Sequence, residues 1–189
     1  MLDIKIADNK ADKDLANNLV IKYHSYVANP KTVGRVIKYL ISYENDLVGT
    51  FWLGSGFKPT PKAILKYFDK SQYEFDLMFN EIADNKRFVM AKTIPNLGSQ
   101  ILKNIRLRAK KDWLERYGND LRAIVTTIGA GKSGAVYKAD NWLQIGETAG
   151  LPSNRKSVSM KWNESEEIKE RFIKPTGENK KLILITTKL

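Results

Sequence analysis

The longest helical pattern in the sequence, over residues 97–117, lies between strand-like runs at 87–93 and 123–127, and this order most limits the fold. Leu102, Ile105, Ala109 and Trp113 fall on one face of that helix, and Lys103, Arg106 and Lys110 on another. Pro95 and Asn96 precede it, and Gly118-Asn-Asp120 stops it. Trp113, and Trp52 in an earlier apolar run, read as core.

The first ~30 residues read as helix, with Leu15, Leu19 and Tyr23 at a spacing of four, until Pro30. Residues 36–43 and 47–53 read as strands joined by a turn at 44–46, a hairpin. Residues 54–61 form a loop. Residues 62–82 hold one or two helices around Ile64, Leu65, Phe68, Leu77 and Phe79. After strand 123–127 come the loop Ile128-Gly-Ala-Gly-Lys-Ser-Gly134 and a short helix carrying Tyr137 and ending at Gly146. The tail adds a strand at 157–162, an acidic helix at 164–172 and a last strand at 181–187. The fold class expected is α+β: one domain with a mixed, mainly antiparallel sheet flanked by helices, residues 153–189 forming an extension that completes the sheet.

A chain of 189 residues with 42% hydrophobic content can bury a real core, and no apolar run approaches the length needed to span a bilayer. The N-terminus lacks a basic region followed by an apolar one, and cysteine is absent. A cytoplasmic, reducing location is expected, with no disulfide, thiolate chemistry or cysteine metal site. No metal site is expected, since one histidine cannot make an all-histidine centre. Lys and Arg number 32 against 21 Asp and Glu, a net charge of +11 and a pI near 9.7. That balance favours an acidic partner, nucleic acid being the commonest; the plain alternative is a lysine-rich, solvated surface. The run 103–111 carries five positive residues and no acid, so Lys103, Arg106 and Lys110 are the expected phosphate contacts.

On a helix, Tyr137 and Asn141 share a face, where a phenol and an amide can orient a planar polar substrate. Gly129-Ala-Gly-Lys-Ser133 invites a phosphate-loop reading, but Thr126 stands where the glycine of a nucleotide-binding loop is required. The loop reads better as tight turns beside a site, with Lys132 in reach of a phosphate. His24, in Tyr23-His-Ser-Tyr26, reads either as a general base or as a helix-end residue with no role. Asn96 and Ser99 read either as helix caps or as part of an anion-gripping turn.

The order of elements resembles the acetyltransferase-like layout of the GNAT superfamily. Three blocks are more specific: Tyr23-His-Ser-Tyr26 with Leu47-Val-Gly49; Asn85-Lys-Arg-Phe88 with Asn96-Leu-Gly-Ser99; and Gly134-Ala-Val-Tyr-Lys-Ala-Asp-Asn-Trp142 with Gly146. They resemble the Mom-type phage DNA-modification proteins and the related DruA-type antiphage defence proteins. The resemblance implies a GNAT-like fold acting on the exocyclic amine of adenine in DNA, with His24, Arg87, Ser99 and Tyr137 functional. It also implies an acid at the end of the strand before the glycine loop. Here that residue is Thr127, and Asp140 is the nearest acid in the motif.

The catalytic candidates are therefore His24, Ser99, Tyr137 and Asp140, and the substrate-binding candidates Tyr23, Arg87, Asn96, Lys132, Asn141 and Trp142. Three readings follow: an adenine-modifying transferase on DNA; an inactive DNA-binding module of a phage or defence system; and a coenzyme A-dependent N-acetyltransferase. The donor is not identifiable from the residues. Acetyl-coenzyme A is disfavoured because Ile94-Pro-Asn-Leu-Gly-Ser99 departs from the Gln/Arg-x-x-Gly-x-Gly/Ala signature.

Overall fold

Leu2, Ile4 and Ile6 alternate with exposed Asp3 and Lys5, and this period-two pattern forms a strand, β1 (Leu2–Ile6), where a helix was expected. The computed structural model describes residues 1–24, 30–56, 58–150, 180–186 and 189. The strand expected at 157–162 and the helix expected at 164–172 lie outside the described residues.

Helix α1 (Lys10–Tyr23) begins where the Asn9 side chain accepts the Asp12 N–H at 2.8 Å. It buries Ala16, Leu19 and Val20. Leu15 and Tyr23 are 45% and 41% exposed, so the four-residue spacing picked a stripe about one position off the buried face.

Strands β2 (Val36–Tyr43) and β3 (Asp46–Ser55) form the expected hairpin. Glu44 and Asn45 both take positive φ, the geometry that lets a two-residue loop follow the strand twist. The apolar run of β3 is buried on both faces. Phe51 and Leu53 pack in the cluster built on the later helix α4 (Leu97–Tyr117), while Trp52 packs against α1.

Helices α2 (Lys62–Phe68) and α3 (Gln72–Leu77) and a 3-10 turn (Phe79–Glu81) lead into β4 (Ile82–Met90), which starts five residues before the expected strand. Helix α4 has the expected bounds. It buries Leu102, Ile105, Ala109 and Trp113 against the sheet, and Gly118 ends it in a left-handed conformation, φ +70°. Trp52 and Trp113 are both core. Strand β5 (Ala123–Ile128) follows, then α5 (Ala135–Ala139), β6 (Leu143–Glu147) and β7 (Leu182–Ile185).

Among the described residues, seven strands form one sheet in the order β1-β2-β3-β4-β5-β7-β6. Every pairing is antiparallel except β4 with β5, which α4 connects. The sheet is mixed and mainly antiparallel. Helices α4 and α5 pack on one face, and α1 with α2 and α3 on the other. No helix among the described residues is long and apolar enough to cross a membrane.

The helix expected to run from Tyr137 to Gly146 stops at Ala139. Asn141 takes φ +61°, which a right-handed helix does not allow, and the residues after it pair with β7 as a strand.

Candidate active site

Strands β4 and β5 run side by side for only three residue pairs, Ile82↔Ala123, Ala83↔Ile124 and Asp84↔Val125. Both continue, to Met90 and Ile128, without pairing to each other. A bulge helps to part them: opposite β3, Trp52 pairs with Arg87 and Leu53 with Asn85, leaving Lys86 as the extra residue. The bulge also resets the alternation. Ala83, Phe88 and Met90 pack towards α4, whereas Ile82 and Val89 pack into the opposite layer.

The gap opens into a cleft of about 550 Å³. Tyr23, His24, Arg87, Lys132 and Tyr137 all line it, so five of the thirteen candidates, 114 residues apart in sequence at the extremes (137 − 23), meet in one place. Thr127 lines it too. The end of α1 supplies Tyr23 and His24, the bulge supplies Arg87, the glycine loop supplies Lys132 and α5 supplies Tyr137.

Tyr137 is buried by Phe88 and Trp142, whose rings meet it edge-on at 6.3 and 5.1 Å between centroids. The Asn85 amide donates to its phenol oxygen at 2.7 Å and lies 3.4 Å from Thr126 Oγ1. Asn85 is the first residue past the last β4–β5 pair, so its side chain bridges the strands where the backbone ceases to. Sequence reasoning placed Asn85 in a motif but gave it no role, because the strand was taken to begin at Arg87.

Asp84, also missed, is the only carboxylate lining the cleft among the described residues. It is 7% exposed. Lys86 Nζ lies 3.2 Å from Oδ2, and Oδ1 has no hydrogen-bond donor among the described residues. Burial pushes its proton affinity up, against the pull of Lys86 and Arg87. His24 moves the other way. Its burial, then the nearby cations Arg87 and Lys132, lower its pKa from the ordinary value and favour the neutral imidazole. Lys181 adds another cation to the lining.

Other candidates lie elsewhere. Asp140 is a buried partner of Arg106 and accepts the Trp142 indole N–H at 3.0 Å. Trp142 is core. Asn141 is exposed in a turn and off the helix, so it does not share a face with Tyr137. Ser99 donates to the Asn96 carbonyl at 3.0 Å in the first turn of α4, and exposed Asn96 stands at the helix start without capping it through its side chain. On α4, Lys103 is exposed, Lys110 lies 3.2 Å from Asp120, and Arg106 is held by Asp140.

A second groove of about 480 Å³ adjoins the cleft and shares Lys86 and Arg87 with it. Lys31 and Lys58 line it, with Lys58 4.8 Å from the centre of the Phe79 ring.

No protein-family model matches the sequence, and no curated protein matches it. The structure is similar to those of GNAT acetyltransferases. A Bacillus subtilis acetyltransferase solved in complex with CoA shares 12% identity over 100% of each chain, with a TM-score of 0.56. An N-acetyltransferase from Staphylococcus aureus Mu50 shares 11% over 98% of this chain and 96% of that one, TM-score 0.54. The ribosomal-protein-S18-alanine N-acetyltransferase of Escherichia coli shares 11% over 98% and 92%, TM-score 0.51. The chain has a GNAT-like fold.

Proposed function

We propose that the chain is an N-acyltransferase that takes its acyl group from a coenzyme A thioester held in the cleft between β4 and β5. The observation that carries this reading is the parting of two parallel strands after Asp84 and Val125. The facing edges beyond that point present backbone N–H and C=O groups that need partners. A thin, amide-bearing chain can lie between them and hydrogen-bond as a strand would. The cleft volume suits such a ligand. At one end of α4, the first-turn N–H groups have no side-chain cap from Asn96, which leaves donors for a pyrophosphate although the glycine signature is absent. The B. subtilis structural neighbour was solved with CoA, which fits the same reading.

The thioester supplies an activated carbonyl and a thiolate leaving group. Tyr137 sits on the cleft wall with Asn85 donating to its oxygen, an arrangement that leaves the phenol as the proton donor to the departing sulfur. Calorimetry with acetyl-coenzyme A tests the proposal. Micromolar affinity is expected, and wild-type protein that shows no binding ends it.

A second reading concerns the acceptor: the exocyclic amine of a nucleic-acid base, as the Mom-type resemblance implies. The basic groove that continues the cleft favours it: Lys31 and Arg87 line it beside Lys58 and Lys86, whose ammonium groups also pair with Asp76 and Asp84. Mass spectrometry of nucleosides from DNA of cells expressing the chain is the test. A modified adenosine supports it, and DNA binding with unmodified nucleosides favours a DNA-binding module instead.

A further inference from the structure

We propose that β1 is a dimerisation edge: two copies of the chain pair their β1 strands antiparallel about a twofold axis at Ile4, joining the two sheets into one. Strand β1 ends the sheet on its side, and among the described residues no strand lies on its outer edge. The ladder with β2 fixes which groups that edge presents. The Ala7 N–H donates to the Lys38 carbonyl at 2.8 Å and the Glu44 N–H to the Met1 carbonyl at 3.1 Å, so the odd-numbered residues of β1 bond to β2. The N–H and C=O groups of Leu2, Ile4 and Ile6 therefore point outwards, where a further strand can pair with them. Arg108 of α4 donates to the Ile4 carbonyl, as that direction requires. The same oxygen has a second lone pair for an incoming N–H.

The side chains decide which strand fits. To exchange backbone bonds, even residues of one copy must face even residues of the other. A register centred on Asp3 sets aspartate against aspartate, and one centred on Lys5 sets lysine against lysine. The register centred on Ile4 sets Asp3 of each copy against Lys5 of the other, at the closely spaced positions that carry no backbone bonds. It also pairs all five residues of the strand, with Leu2 facing Ile6 and Ile4 facing Ile4. A twofold interface must complement itself, and Leu2-Asp3-Ile4-Lys5-Ile6 does so in both charge and hydropathy.

These side chains are placed to take part. Asp3 and Lys5 are exposed. Lys5 holds Asp12 of α1 at 3.0 Å, and its ammonium has further N–H groups to give. On the other face, Leu2, Ile4 and Ile6 are only partly buried against the core. Leu2 and Ile4 line a groove of about 420 Å³ with Leu107 of α4, which is 64% exposed. A second apolar row beside the first removes part of that surface from water. Strands β2 and β3 separate this edge from the β4–β5 cleft, so both clefts stay open in the dimer.

Sedimentation equilibrium of the untagged full-length chain, from low to high micromolar concentration, is the test. Wild type is expected to pass from the mass of one chain to that of two. Asp3→Lys and Lys5→Asp each set like charges face to face, twice per dimer, and each should raise the dissociation constant by at least about tenfold. Mixing these two variants should restore a dimer containing one of each, because every lysine then faces an aspartate. Ile4→Pro removes an outward N–H without touching the ladder to β2, and should also raise the dissociation constant by at least about tenfold. That variant, with Asp3→Lys, decides the matter if loss of the Lys5–Asp12 pair leaves Lys5→Asp unfolded by circular dichroism. Wild type that stays a single chain throughout overturns the proposal and leaves Arg108 as a guard on the edge. Self-association that Asp3→Lys and Ile4→Pro leave unchanged, or folded charge variants that stay apart when mixed, overturns it as well.

Discussion

Arg106 on α4 donates from Nε and Nη2 to the carboxylate of Asp140, at 3.2 and 3.0 Å, and so pins the long helix to the turn that follows α5. The Asp140 side chain is 3% exposed and Arg106's 17%. Trp142 completes the arrangement by donating to the same carboxylate. The pair holds in place the end of α5, the helix that carries Tyr137 to the cleft wall. Arg106→Ala strands a buried charge, and we expect a loss of about 3–5 kcal/mol in urea unfolding. A stable variant with weakened DNA binding would return Arg106 to the phosphate-contact role.

Tyr137→Phe tests a bond and a function together. Removing the hydroxyl leaves the Asn85 amide without its 2.7 Å acceptor. The expected destabilisation is about 1–3 kcal/mol. Acyl transfer should fall further than stability explains, which parallel measurement of unfolding and CoA release would reveal.

Gly98 lies where α4 crosses α5, and a Cβ there would meet Val136 Cγ2 at 2.6 Å. Val136 also lines the cleft. Gly98→Ala should cost about 1–3 kcal/mol through overpacking. Adding Val136→Ala should recover much of that loss, because the obstructing methyl is gone. A double variant no more stable than the single one would mean that the helices shift instead.

The lowered His24 pKa gives a signed pH dependence. As pH falls below 6.5, the unfolded chain takes up a proton that folded His24 resists. Stability present above pH 6.5 is therefore lost on acidification, until the folded pKa is also passed. Melting temperature between pH 7 and 5 should fall more steeply for wild type than for His24→Gln. Parallel curves would show that neither burial nor Arg87 and Lys132 hold the imidazole's pKa down.

If a nucleic acid enters the cleft, its phosphates meet Lys132 and Lys181 rather than α4. Each lost contact to a single strand lowers the slope of log K against log salt by about 0.7, so Lys132→Ala with Lys181→Ala should lower it by about 1.4. Lys110→Ala, whose ammonium lies 3.2 Å from Asp120, should leave the slope nearly unchanged.

What the sequence revealed depended on how local the cause was. Helix α4 was legible nearly to its ends because its apolar stripe and the terminating Gly118 both act within the segment. Strand β1 was hidden in a helix reading, although Leu2, Ile4 and Ile6 carry a plain alternation and Asn9 a cap signal. The start of β4 was obscured by Asp84-Asn-Lys86, polar residues that a strand tolerates here because they line a cleft. His24, Arg87, Lys132 and Tyr137, which meet at the cleft, were singled out from residue type and motif. Asp140 was misread because its partner lies 34 positions away, and only packing brings Arg106 to it.

The strand order has a consequence for how the chain acquires its shape. Strands β5 and β6 follow one another in sequence yet do not pair in the sheet; β7 lies between them and pairs with both. Until residues 182–185 have left the ribosome, β5 has one edge without a neighbour and β6 has none at all. The β1–β4 portion, by contrast, is built wholly from successive antiparallel neighbours and can assemble as it emerges. Synthesis therefore passes through a stage in which one wall of the cleft exists and the other awaits its last strand. During that interval the exposed edge of β5 is the place where a chaperone, or a second nascent chain, would bind.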